Sequence, residues 1–395
     1  MHGSVLFSQA NLVYFKEMKE RGLGRTTAIL TAAAGLPLLG AWLAGRNLGE
    51  IFQFPPRLKI PANYPHFSWR AAVAIGLTLA AVVGPWFFQS RTGFFAKTRP
   101  PGTSRNRPLA WWGWLALVWT ATWWFLAWTR FPCFAPAQRY TFFPLWLGFI
   151  VSTNALIQRR CGACLMRRAP RTWLGLFAAS AAFWWMFEWL NRFVRNWHYL
   201  GVADFSAAAY AGNATLCFST VLPAVAAASE WLGTHPRWEA RCAAGPAWRW
   251  LRPRATGWAL MLLSAAALVL TGARPEQFYP AIWAAPLLLA LGEGIAARRP
   301  GLAGEVAAGD WRRAATWAVA ALICGVFWEL WNVRSAAQWI YTVPYVDRWH
   351  IFEMPLLGYA GYLPFGLECL LVSEPFLRRI GPSGGSPPLT AASPR

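Results

Sequence analysis

Phe183-Trp184-Trp185-Met186-Phe187-Glu188-Trp189-Leu190-Asn191 is answered later in the chain by Val326-Phe327-Trp328-Glu329-Leu330-Trp331-Asn332. Each run sets Glu and Asn three residues apart among aromatics, and each leads into a Trp-x-Tyr, Trp197 and Tyr199 in one copy and Trp339 and Tyr341 in the other. A carboxylate within a membrane segment costs several kcal/mol unless it is paired, protonated or wetted. Two copies of one such arrangement therefore mark where function is to be sought. Trp184, Glu188 and Asn191 fall at i, i+4, i+7, and Gly325, Glu329 and Asn332 repeat the spacing, so each Glu-Asn pair lines one helix stripe.

Working outward, 56% hydrophobic residues, 28 Trp and only 13% charged residues fit a chain whose solvent is largely lipid. The net charge of +21 falls in short clusters between apolar runs rather than in a basic domain, which argues against a nucleic-acid partner and for topology signals and anionic headgroups. Runs long enough to cross about 30 Å of hydrocarbon occur at Thr26–Ala44, Arg70–Gln89, Leu109–Trp128, Thr141–Ile157, Thr172–Asn191, Asn213–Leu232, Ala255–Gly272, Tyr279–Ala296, Arg313–Asn332 and Ile351–Phe376. The expected fold is all-α: a polytopic membrane bundle of about ten transmembrane helices. Most basic residues fall on one side of that arrangement, which predicts both termini in the cytosol, as in a bacterial inner membrane protein.

The duplication extends beyond the Glu-Asn runs. Tyr140 to Trp146 resembles Phe278 to Trp283, and after each Trp-x-Tyr comes an apolar run with an internal proline and a late carboxylate, Pro223 and Glu230 or Pro364 and Glu368. These observations predict a three-helix module used twice in parallel, repeat A at 140–233 and repeat B at 278–376. Residues 1–139 form an N-terminal membrane region of three spans, 234–277 a cytosolic loop and the bridging span that keeps the copies parallel, and 377–395 a Pro-, Ser- and Gly-rich disordered cytosolic tail.

Glu188 and Glu329 lie at one depth, roughly 24 Å from the cytosolic boundary at 1.5 Å per residue. Glu353 and His350, expected at the outer start of the last helix, and His198 join this layer. One reading makes Glu188, Glu329 and Glu353 acid/base groups oriented by Asn191 and Asn332, with Trp184, Trp185, Trp328, Trp331, Trp197, Tyr199, Trp339 and Tyr341 lining a cavity whose π faces stabilise a cation. The other has Glu and Asn clamp helices through buried hydrogen bonds. Glu230, Glu293 and Glu368 read as snorkelling groups near the cytosolic ends. No Gly-x-Gly-x-x-Gly, P-loop, His-Glu-x-x-His or Gly-x-Ser-x-Gly occurs, so no metal and no cofactor is expected. The Cys161/Cys164 pair stands without a second pair or a nearby His, and reads as incidental thiols.

The doubled unit, an acid on a Trp-rich helix, then Trp-x-Tyr, then a Pro-containing helix with a carboxylate, resembles the membrane-bound lycopene cyclase domain of bacteria and fungi, over about 140–232 and 278–372. The resemblance implies acid-initiated carbocation cyclisation of a carotenoid or other isoprenoid without a redox cofactor, with Glu188 and Glu329 at the acidic positions. The chain departs from the family in lacking its Pro-x-Glu-Glu, having Glu353-Met354-Pro355 in one copy and Ser219 in the other, and in its three added N-terminal spans. A proton-coupled transporter, and a non-catalytic pigment- or lipid-binding scaffold with membrane-protein partners, are the competing classes.

Overall fold

The computed structural model describes residues 24, 27–56, 64–94 and 107–378. The expected cytosolic N-terminus, residues 57–63 and 95–106, and the tail beyond residue 378 lie outside the described residues. The longer helices are α1 (Thr27–Leu43), α2 (Trp69–Phe94), α3 (Trp111–Trp128), α4 (Phe142–Cys161), α5 (Pro170–Val194), α6 (Ala207–Phe218), α7 (Val221–Gly233), α8 (Arg254–Ala273), α9 (Ala281–Ala296), α10 (Arg312–Asn332) and α11 (Tyr362–Leu377).

Five stretches among the described residues are long and apolar enough to cross a membrane: Trp69–Trp86, Ala207–Gly233, Arg254–Ala273, Arg312–Asn332 and Leu356–Leu377. A sixth is added if Pro132–Tyr140 and α4, bent by 68°, count as one. The protein is therefore a mostly helical membrane protein, though length and composition carry fewer spans than the ten expected. The shortfall has a chemical origin: α5 is 25 residues long, but Arg171, Glu188 and Arg192 and its tryptophans dilute its apolar character, and α1 and α9 are short.

At the centre, α10 packs on α7 and α11, α5 packs on α7, and α11 also touches α5. Helix α4 lies against α7 as α9 lies against α11, and each is backed by one more helix, α3 on α4 and α8 on α9. Small residues set the close α8–α9 approach: a Cβ added at Gly257 would lie 2.5 Å from Ala296 N, and one at Gly292 2.7 Å from Gly257 O.

Two corrections fall at helix ends. The sixth expected span starts earlier, at Ala207, and breaks between α6 and α7. Pro223 offers no N–H to the preceding turn, and the buried Ser180 hydroxyl splices the break, donating to Phe218 O at 2.6 Å while accepting Leu222 N at 3.0 Å. The last expected span is not one helix. His350–Ile351 and Met354–Pro355 pair as an antiparallel hairpin, a 3-10 turn follows over Leu356–Gly361, and only then does α11 begin.

The all-α expectation also needs amending at the Trp-x-Tyr motifs. Trp197–Tyr199 (β1) and Trp339–Tyr341 (β2) are short strands that pair with each other antiparallel, Trp197 opposite Tyr341, His198 opposite Ile340 and Tyr199 opposite Trp339. Each strand follows the helix that bears its acid, so the pairing joins the C-terminal ends of α5 and α10.

Candidate functional site

Asn191 and Asn332 build the strands rather than the acids. Asn191 Nδ2 donates to Trp197 O at 2.8 Å, and its Oδ1 accepts Asn196 N at 2.8 Å. Asn332 does the same in the other copy, with Nδ2 to Trp339 O at 2.7 Å and Oδ1 from Trp339 N at 2.8 Å. Neither amide bonds a glutamate, which corrects the expectation that they orient Glu188 and Glu329 directly. They fix the first residue of each strand, and the strand brings its aromatic donors onto the acid.

Glu188 Oε1 accepts Tyr199 OH at 2.7 Å, Trp197 Nε1 at 3.0 Å and Trp184 Nε1 at 3.1 Å. Glu329 Oε1 accepts Tyr341 OH at 2.6 Å and Tyr362 OH at 3.1 Å, while Trp339 Nε1 donates to the Tyr341 oxygen at 2.7 Å. The buried Oε2 of Glu329 has no hydrogen-bond partner. Both carboxyls are buried, at 4% and 0% exposed.

The two shells differ by an exchange. The position one turn before Glu188 is Trp184, whose indole supplies a donor, and the corresponding position before Glu329 is Gly325. A Cβ at Gly325 would fall 2.4 Å from the Tyr362 ring. The missing side chain thus admits Tyr362 from α11, whose hydroxyl takes over the donor's task. Tyr362 stands two residues before Pro364, and its counterpart before Pro223 is Val221, which carries no donor.

Aromatic rings knit the surroundings of the two acids together. Trp146 packs at 5.0 Å on Trp328, the residue before Glu329, and Trp283 stacks at 5.1 Å on Phe187, the residue before Glu188. Phe365 fills the middle, 5.6 Å from Trp184 and 5.4 Å from Phe187. Trp184 and Trp328 face each other at 6.4 Å.

Above this core opens a cavity of about 900 Å³ with a mostly apolar lining. It is walled by Trp184, Trp197 and Tyr199 from one shell and by Trp328, Trp339, Tyr341 and Tyr362 from the other. Its far wall is α2, from Ile75 to Trp86. That helix is held at its ends, by Ser68 N to Tyr345 O at 2.8 Å near one and by Trp86 packed 6.1 Å from Trp238 at the other.

Glu188 and Glu329 do not line the cavity; they lie behind the phenols and indoles that do. Among the other expected site residues, Trp185 bonds Thr215 Oγ1 at 3.0 Å and packs on Phe218, and Trp331 is buried against Trp146 and Phe149. His198 Nε2 pairs with Thr342 Oγ1 at 2.9 Å. None of these three reaches the cavity. Glu353 and His350 belong to the hairpin rather than the last helix, where Glu353 accepts Gln338 Nε2 at 2.9 Å and His350 pairs with Asp347 at 2.8 Å. They do not sit at the expected start of the last helix, because that helix begins only at Tyr362.

The lower acids divide. Glu230 meets Arg168 at 3.4 Å and accepts Leu165 N at 3.2 Å, Glu293 pairs with Arg299, and Glu368 is 4% exposed and accepts only Leu287 N at 3.1 Å. Cys161 is exposed and Cys164 buried, both free. Among the described residues no cluster of His, Cys, Asp or Glu is arranged to hold a metal ion. No protein-family model matches the chain, no curated protein is detectably similar to it, and no solved structure matches it.

Proposed function

We propose that this protein is a membrane-embedded enzyme acting on a long apolar lipid of the isoprenoid class, by acid-initiated, carbocation-type cyclisation or isomerisation. The observation that carries the reading is that two buried carboxyls, each bonded to a Trp-x-Tyr strand, share one aromatic-walled cavity. Glu329 is the acid in this proposal. It has an unpartnered oxygen, and phenols stand between it and the cavity. Delivery therefore requires Tyr341 or Tyr362 to turn its O–H from Glu329 into the cavity and give up that proton, while protonated Glu329 returns its own to the phenol oxygen, leaving a carboxylate. Glu188, gripped by three donors on one oxygen, serves as the negative partner. Indole faces then hold the developing cation.

The resemblance to membrane-bound lycopene cyclase domains belongs to this reading, and so do a cytoplasmic-membrane location, cytosolic termini and ten spans. The contacts favour a repeat one helix longer than the sequence suggests: α3-α4-α5-α6/α7 and α8-α9-α10-α11, with α3 backing α4 as α8 backs α9. An even-numbered unit keeps the copies parallel without a separate bridging span. Antiparallel pairing of equivalent strands fits a two-fold axis along the membrane normal.

The test begins with mass spectrometry of lipids extracted from protein purified in mild detergent, followed by turnover of the bound class. Glu329→Gln should cut product at least a hundredfold, in the range of a lost general acid, at unchanged protein abundance. Normal product from that variant would remove Glu329 from the mechanism. A scaffold role is the second reading, favoured by the screening of both acids from the cavity by aromatic side chains. It predicts a bound pigment or lipid that is recovered unchanged.

A further inference from the structure

Donor and acceptor bookkeeping at the cavity wall shows what charge the site accepts. Tyr199 spends its only hydroxyl proton on Glu188, and Tyr341 and Tyr362 spend theirs on Glu329. The indole N–H groups of Trp184 and Trp197 go to Glu188, and that of Trp339 goes to Tyr341. These residues therefore present only phenol lone pairs and π faces to the cavity, backed by two buried carboxyls.

A second observation points the same way. Asn196 lines the cavity, is 3% exposed, and its Oδ1 has no partner. The opposing charge is small: Arg139, at the edge of the lining, is engaged by both oxygens of Asp204 at 2.8 Å. Tyr210 also lines the space, and its unpartnered hydroxyl can take either role.

Around Tyr199, Tyr341, Tyr362 and Asn196 the polar edge of this apolar space is built from acceptors and ring faces, and the unpartnered indole N–H of Trp86 and hydroxyl of Tyr210 lie elsewhere on the lining. Such an edge disfavours anions and favours a cation on an apolar chain, as aromatic cages do for quaternary ammonium groups. We propose that the cavity is a binding site for lipophilic cations, a single positive charge carried on a long apolar chain, with the charge seated among Tyr199, Tyr341, Tyr362 and the facing indoles. The inference rests on the proposed carbocation chemistry, because a stable ammonium would occupy the place of the transient cation, and it adds a ligand class that is not a reactant.

The test titrates purified full-length protein in neutral detergent with decyltrimethylammonium, its neutral isostere 2,2-dimethyldodecane and decyl sulfate. Binding is read from the thermal unfolding midpoint and intrinsic tryptophan emission. The ammonium should bind roughly tenfold or more tightly than the hydrocarbon, and decyl sulfate should bind most weakly. That preference should collapse in Glu188→Gln/Glu329→Gln protein and weaken in Tyr362→Phe protein, with near-ultraviolet circular dichroism confirming native packing in both. Equal binding of ammonium and hydrocarbon overturns the proposal, as does a charge preference that survives the double substitution in folded protein. If the double variant does not fold, Tyr199→Phe and Tyr362→Phe decide, since each removes an acceptor and keeps its ring. Cation-selective binding by a protein that converts no lipid would defeat the catalytic reading alone. Turnover without charge preference would defeat only the cation site.

Discussion

Asn332 is 1% exposed and makes two hydrogen bonds to the backbone of Trp339, so its loss acts on the strand before it acts on Glu329. Asn332→Ala leaves a partly buried N–H and C=O of Trp339 without their partner, at about 0.5–1.5 kcal/mol each. The expected result is a lower unfolding midpoint together with a changed Trp339 environment in the emission spectrum. Asn332→Asp keeps the acceptor for Trp339 N and should restore part of the loss. An unchanged midpoint in the alanine variant would show that the strand holds without its clamp. Asp310, outside the spans, carries the pH prediction. Burial pushes its carboxyl up, but Arg312 prevails, through Nε at 2.9 Å and its backbone N at 3.1 Å, and holds the group below its ordinary range. The lowered value means that this contribution to stability is present above the unfolded pKa, about 3.9, and is lost as pH falls through the lower folded value. Asp310→Asn should therefore be less stable than wild type at pH 7, by up to about 1 kcal/mol for a partly exposed ion pair, and the difference should fade as pH falls through the lowered folded value.

At the scale of elements, the exchange of Trp184 and Val221 for Gly325 and Tyr362 shows how the two Glu-Asn motifs surround their acids with different residues. Gly325→Leu would drive a side chain into the Tyr362 ring and tilt α11 from α10. The expected cost is about 1–3 kcal/mol from overpacking. Proposed turnover should fall with it, and Gly325→Leu/Tyr362→Ala should recover stability without recovering turnover. Recovery of both would mean that the Tyr362 hydroxyl does nothing for Glu329. Much of this was legible in the sequence. Repeated Glu-Asn and Trp-x-Tyr spacing located the acids, the cavity-lining Trp184, Trp197, Tyr199, Trp328, Trp339 and Tyr341, and helices near each expected span. Tyr362 was not legible, because the first copy holds Val221 at that place and the repeat gives no hint of an incoming phenol. The asparagines were misread because helical spacing places Asn332 beside Glu329, while its partner lies beyond the helix end, where spacing says nothing.

On the scale of the whole molecule, the sheet formed by β1 and β2 constrains topology more tightly than hydropathy does. Paired strands lie on one side of the membrane, so the chain must cross an even number of times between Tyr199 and Trp339. Three stretches in that interval are long and apolar enough to cross: Ala207–Gly233, Arg254–Ala273 and Arg312–Asn332. Parity requires a fourth, and α9, Ala281–Ala296, is the remaining helix of useful length. At 1.5 Å per residue it reaches about 24 Å, short of a 30 Å core, and its close packing on α8 and α11 shields it from lipid where it falls short. In the proposed orientation Arg298 and Arg299 at its end face the cytosol. A reporter active only outside the cytosol should then be active when inserted at 201–204 or at 274–278, and silent at 243–247 or at 299–301. Activity at both 274–278 and 299–301 would mean that α9 does not cross. In that case the two Trp-x-Tyr strands would lie on opposite sides and could not pair, and the shared cavity between the two acids would have no basis.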